Sequence, residues 1–193
     1  MIQRGAINYL IKIADSEAEF EKIHRLNYRT FVDEIPQHEG NATGSLVDRF
    51  HLENTYIIAL YGERLIGMIA VRGNRPFSLD DKIPDLDKYL PTGKKLCEIR
   101  LLAIEKEFRG GTVLFLMMKK MAQYCIKEGY DYAIISGTTR QQKLYHHLGF
   151  QPFYPEVGKN GAFFIPMGAS LEDFERKLGK LLSDRGSGQS IFK

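Results

Sequence analysis

The runs TYIIALY (55–61) and RLIGMIAVR (64–72) are separated only by Gly62-Glu63. Two apolar, β-branched segments joined by a two-residue glycine turn specify an antiparallel hairpin. That hairpin constrains the rest of the chain. It precedes a buried-type strand, CEIRLLAI (97–104), and a helical stretch from Thr112 to about Glu128, stopped by Gly129. A strand DYAIIS, a short helix RQQKLYHHL ended by Gly149, and strands at FQPFYP and GAFFIPMGA follow. A hairpin ahead of a βαβα run excludes a doubly wound sheet and predicts a mixed α/β fold of the α+β kind.

Upstream, INYLIKIAD reads as a first strand. Ser16-Glu17-Ala18-Glu19 has the form of a capping box opening a helix that carries Phe20, Ile23, Leu26 and Phe31 and should end near Pro36. Two long connections, 36–54 and 73–96, lack strong periodicity; connections of that length are usually functional or mobile. The second contains SLDDKIPDLDKYL, with room for a short helix or two. Ser170 caps a closing helix to about Leu182 with the stripe Leu171, Phe174, Leu178, Leu181 and Leu182. The expected organisation is one domain over 1–182 and a Gly/Ser-rich tail or linker over 183–193.

Composition narrows the function classes. A net charge of +3 on 193 residues is too small and dispersed for nucleic-acid binding, yet suits a phosphorylated small molecule or an acidic carrier. No run approaches a membrane span of roughly 18 apolar residues, and the N-terminus lacks a signal core, so a cytoplasmic location away from membranes is expected. Cys97 and Cys125 fall in separate elements and read as reduced core thiols. The histidines are scattered, and His146 and His147 point about 100° apart on a helix, so no metal site is expected. His38 and His51 lie in the first long connection, from which they could contact a substrate.

Between the strand at 97–104 and the next helix stands Arg109-Gly110-Gly111. A helix N-terminus carries partial positive charge, glycines allow close approach to the backbone, and an arginine offers a fork for phosphate oxygens. The stretch fits a phosphate or pyrophosphate, or equally a plain strand–helix turn with a solvated arginine. It is neither a Walker loop nor a dinucleotide fingerprint.

KLYHHLGF (143–150) follows one strand later. Together the two motifs resemble the GNAT superfamily of N-acyltransferases. The resemblance implies a central twisted sheet with an antiparallel hairpin, a following βαβα unit and helices on both faces. It implies an acyl-CoA donor, with Arg109, Gly110, Gly111, Thr112, Val113 and Leu114 around the pyrophosphate. Leu102, Ala103 and Ile104 would offer backbone to the pantetheine arm, and Tyr145 would protonate the departing thiolate. A second, scattered set is similar to the acyl-homoserine-lactone synthases and N-acyl amino acid synthases: Arg29-Thr30-Phe31, Asp48-Arg49-Phe50, Gly67 with Arg72, and Glu98-x-Arg100. This implies fatty acyl groups from the phosphopantetheine of an acyl carrier protein, with Arg29, Phe31, Arg72 and Arg100 near a small-molecule amine acceptor.

Acyl transfer to an amine needs a base, donors for the oxyanion and an exit for the thiolate. Glu98 is the candidate base; it shares a strand face with Arg100, so a structural ion pair is the competing reading. Tyr145 is either acid or core filler. The oxyanion donor would be a backbone N–H within 102–104, freed by a strand bulge. Leu114 stands where related loops keep a small residue, so its bulk should disfavour free coenzyme A against a carrier protein. The stripe Leu114, Met117, Met118 and Met121 is core or the lining of an acyl channel, and Lys119-Lys120 a solvated face or a carrier dock. A non-catalytic acyl-thioester sensor on the same fold is the alternative to an enzyme.

Overall fold

A computed structural model describes residues 8–35, 37–159 and 162–186. The elements run β1 (Tyr9–Ile13), α1 (Glu17–Tyr28), β2 (Thr55–Tyr61), β3 (Arg64–Arg72), β4 (Leu96–Ile104), α2 (Thr112–Lys127), β5 (Tyr132–Thr138), α3 (Gln142–His147), β6 (Gln151–Pro152), β7 (Val157–Lys159), β8 (Ala162–Ser170) and α4 (Leu171–Gly186). They form one eight-stranded mixed sheet in the order β1-β2-β3-β4-β5-β8-β6, with β7 also on β8. The expected hairpin is present, and Gly62 at φ +59° supplies its turn.

Both faces of the sheet are covered. On one, α1 lays Ile23 and Leu26 over Tyr56, Ile58, Met68 and Ala70. The segment around Phe77–Leu90 continues that layer over Ile134. On the other, α2 and α4 cover the main core. Gly67 lets α2 lie close to β3: a Cβ there would stand 2.8 Å from Met117 Sδ.

Several local expectations change. Ser16 is the N-cap of α1 without a side-chain bond; Glu19 reaches back to the Asp15 N–H instead, at 2.9 Å. α1 passes into a π-helical turn, Arg29–Glu34; Pro36, its expected end, lies outside the described residues. Within 73–96 only Leu86–Tyr89 is helical, as a 3-10 turn. The strand expected at 150–155 shrinks to Gln151–Pro152. Ser170 Oγ does cap α4, accepting the Asp173 N–H at 3.1 Å. That helix continues to Gly186, past the expected end near Leu182, and 187–193 lie outside the described residues.

Candidate active site

β4 and β5 run parallel in register only from Leu96–Tyr132 to Ile99–Ile135. Beyond that point β4 pairs with β3 alone and β5 with β8 alone. The sheet therefore splits, and a cleft of about 970 Å³ opens there. One arm is polar, with Arg49, Ser78, Lys82, Glu98, Arg100 and Ser136. The other is apolar and penetrates the main core, with Ile99, Ile135, Met118, Met121, Phe150 and Phe174. The π turn after α1 contributes Phe31 and Glu34, and His38 follows them.

A bulge in β4 sits at the throat between the arms. Ala70 faces Arg100 and Met68 faces Ala103, so Leu101 and Leu102 fall outside the register with β3, as they do with β5. Leu101 adopts φ +54°, a left-handed conformation that costs a non-glycine residue on the order of 1–3 kcal/mol. Leu101 then packs toward the α1 core and Leu102 toward the α2 core.

Glu98 is fully buried. Its carboxylate accepts the Ser78 N–H at 2.8 Å and the Ser78 Oγ–H at 2.5 Å, and Arg100 Nε lies 3.4 Å away. Arg100 is gripped by Asp48 through two bonds of 2.8 and 3.0 Å. Burial alone would raise the Asp48 pKa, but the Arg100 bonds and charge, with Asn54 and the Phe50 N–H, hold it below its ordinary value. The Phe50 ring carries the guanidinium groups of Arg72, Arg49 and Arg100 at 3.8, 4.4 and 4.8 Å from its centroid. Asp48-Arg49-Phe50 thus fastens the first long connection to β3 and β4 by an ion pair and cation–π contacts.

Tyr145 of α3 lines the cleft and donates to Gln141 Oε1 at 2.8 Å. Gly137 on β5 makes room for its ring, since a Cβ there would meet Tyr145 Cδ2 at 3.0 Å. Burial, outweighing bonds to Thr138, pushes the phenol up to about 12.

At the glycine loop, Gly110 has φ +68° and α2 starts after Gly111. Arg109 is engaged: Nε donates to the Ile104 carbonyl at 2.6 Å, and both terminal nitrogens bond to Glu34.

The family model for the N-acyl amino acid synthase FeeM matches residues 22–166. The chain belongs to the FeeM N-acyl amino acid synthase family. It is an N-acyltransferase, and the non-catalytic alternative falls. No curated protein sequence matches with significance. Among solved structures, the CoA-dependent acyl-homoserine lactone synthase BjaI, with SAM and isopentyl-CoA, is similar at TM-score 0.76 and 17% identity over 90% of each chain. FeeM itself, from uncultured soil microbes, is similar at 0.67 and 19%, over 88% of this chain and 94% of that one. A putative N-acetyltransferase from Lactobacillus plantarum is similar at 0.62 and 15%, over 84% and 98%. These likenesses bear out the GNAT-like fold.

Within this FeeM-family fold, Phe31, Glu98, Arg100, Leu102 and Tyr145 meet in one cleft. Arg72 does not line it; it is buried against Phe50, with Nε donating to the Pro76 carbonyl at 2.9 Å. Arg29 faces a separate recess with Lys22, Arg25 and Arg64 and pairs with Glu105 at 2.8 Å. Ala103 and Ile104 are buried strand residues, and Thr112, Val113 and Leu114 form the first turn of α2. Leu114 faces the main core, 6% exposed, because the buried stripe of α2 includes it with Val113, Met117, Met118 and Met121. Its side chain therefore adds no bulk at the loop surface, and the argument against coenzyme A from that bulk does not stand. Of the methionine stripe, Met118 and Met121 reach the cleft.

The Glu98–Arg100 ion pair and the cleft position of Glu98 coexist. Cys97 Sγ lies 4.0 Å from Cys125 Sγ, and that contact together with burial pushes the Cys97 thiol up, which suits a core thiol. His38 lines the cleft, whereas His51 meets His24 edge to face with ring centroids 4.5 Å apart. Ser78, Lys82 and Ser136 escaped the sequence reading, and no local pattern in SLDDKIPDLDKYL sets Lys82 apart from Lys88. Among the described residues no acidic, histidine or cysteine group gathers in a metal-holding cluster, and no helix is long and apolar enough to cross a membrane.

Proposed function

We propose that this enzyme moves a medium or long fatty acyl group from an acyl thioester, on coenzyme A or an acyl carrier protein, to the amine of an amino acid. The observation that carries this reading is the split between β4 and β5. It joins a polar arm to a deep apolar arm through one throat. An acyl chain fits the apolar arm, where Met118 and Met121 adapt to its shape. The acceptor enters the polar arm, and the reacting carbonyl stands at the throat.

In the reaction the amine nitrogen bonds to the thioester carbon, the C–S bond breaks, and the amine gives up a proton. Glu98 is the base of this scheme. It is closed to direct contact, so the proton reaches it through Ser78 Oγ, which lines the cleft and bonds Glu98 at 2.5 Å. Arg100, fixed by Asp48, holds the Glu98 carboxylate in place. The bulge at Leu101–Leu102 turns backbone amides out of the ladder toward the oxyanion. Burial raises the Tyr145 phenol, and its hydroxyl in the cleft serves the leaving sulfur as a hydrogen-bond donor. Arg109 and the glycine loop receive the donor's phosphate.

Acyl transfer from dodecanoyl-CoA and from dodecanoyl carrier protein to a pool of free amino acids, read by mass spectrometry, tests the reading. N-dodecanoyl amino acids are the expected products. Transfer confined to acetyl donors would overturn the long-chain reading, and no transfer to any amine would overturn the whole.

A further inference from the structure

The cations of the polar arm are not equivalent. Arg49 pairs with Asp81, and Arg100 with Asp48. Lys82 also lines the cleft, but among the described residues no carboxylate lies at ion-pair distance from its Nζ. Its ammonium donates to Ser136 Oγ at 3.2 Å and stands 4.7 Å from the centroid of the Phe164 ring. Burial lowers its pKa; Glu98 and Asp81 oppose that at longer range, while Arg100 and Arg49 add to it. A half-desolvated ammonium with one neutral hydroxyl partner and an aromatic neighbour still has donors to offer, and a carboxylate is the partner that best offsets its lost hydration.

Its position adds the geometry. Ser136, which holds Lys82, is the first β5 residue beyond the last β4–β5 pair at Ile135. The ammonium is thereby fixed beside the throat, on the same side as Ser78 and Glu98. In an α-amino acid one carbon separates amine from carboxylate. A carboxylate held at Lys82 would keep the amine in the polar arm that Lys82 shares with Ser78.

We propose that Lys82 is the residue that binds the acceptor's carboxylate, so that the enzyme selects free amino acids over uncharged amines. This rests on the acyl-transfer reading above. Lys82 is a specificity-determining residue: it positions the acceptor and takes no part in proton transfer.

The test compares free α-amino acids with their α-carboxamides as acceptors, using dodecanoyl-CoA as donor. The wild type should favour the free acids in kcat/KM by about 10- to 100-fold, the discrimination expected from one charge-assisted hydrogen bond in a partly dry site. Lys82→Met should bring that ratio close to one, chiefly by raising KM for the acids, while turnover of the carboxamides persists. Lys82→Arg should retain part of the preference. A wild type indifferent to the carboxylate, or a methionine variant that keeps the full preference, would overturn the assignment and leave acyl transfer standing.

Binding supplies an arm independent of turnover. By calorimetry the wild type should bind N-dodecanoyl amino acids more tightly than their methyl esters, and Lys82→Met should bind both alike. Equal wild-type affinity for acid and ester overturns the role of Lys82 even if no acyl transfer is found. A methionine variant that unfolds would be replaced by Lys82→Gln, judged by the same acid-to-ester ratio.

Discussion

Arg109 and Glu34 face each other in a two-pronged ion pair that ties the glycine loop to the π turn after α1. The guanidinium the loop would offer to a phosphate is thus already in use, and a donor must compete with Glu34 for it. Arg109→Ala should weaken thioester-donor binding by on the order of 1–3 kcal/mol, the range for a hydrogen bond to a charged group. Glu34→Gln should strengthen it, because the competing carboxylate is gone. Calorimetry with a non-hydrolysable acyl-CoA reads both; unchanged affinity in the two variants would remove Arg109 from the donor site.

Tyr145→Phe should lower kcat by about 10- to 100-fold while changing donor affinity little, since the lost bond matters as the thiolate departs. With the phenol at about 12, the alkaline side of the pH–rate profile should show no tyrosine ionisation below pH 11. Gly137→Ala offers a second route to the same ring, because the added methyl meets Tyr145 Cδ2. It should reproduce the kcat loss without removing the hydroxyl.

Ser78→Ala and Glu98→Gln should each lower kcat by about 100-fold or more if the acceptor proton passes along Ser78 to Glu98. Their effects should be far from additive, as for groups acting in one relay. An additive double variant in steady-state assays would separate the two and return Glu98 to a purely structural ion pair.

Asp48 and Arg100 are 9% and 12% exposed, so removing one strands the other's charge. Asp48→Ala should cost about 3–5 kcal/mol in denaturant unfolding. The Asp48 pKa is depressed in the folded state, so its contribution is complete above the unfolded value near 3.9 and is lost as pH falls through the lower folded value. Asp48→Asn should flatten that acid limb of the stability curve.

Met118 and Met121 line the apolar arm. Filling it with Met121→Trp should reduce kcat/KM for dodecanoyl relative to butanoyl donors by tenfold or more, on the scale of ~0.8 kcal/mol per methylene denied burial. An unchanged chain-length profile would place the acyl group elsewhere.

Periodic elements carried most of what the sequence revealed. The hairpin, the strand bearing Glu98 and Arg100, and the helix bearing Tyr145 each have a local pattern that survives packing. Leu114 misled because a position in a loop motif says nothing of helical rotation, and the α2 stripe turns it inward. Arg29 fits a motif in spacing, yet the periodicity of α1 puts it on the face of Lys22 and Arg25, over a separate recess. Lys82 and Ser136 were invisible for a different reason: they are 54 positions apart and meet only once β5 and the 73–96 connection are in place.

The two arms of the cleft come from different kinds of chain. Side chains on α2, α4 and the strands build the apolar arm, whereas much of the polar arm comes from the connections around Asp48–Phe50 and Ser78–Lys82. Only the throat is common to both. On the proposed assignment of acceptor to the polar arm and acyl chain to the apolar arm, acceptor choice would change through insertions and exchanges in two surface segments while the helical packing around the acyl chain stays as it is. Grafting those two segments between relatives should exchange acceptors without exchanging donors.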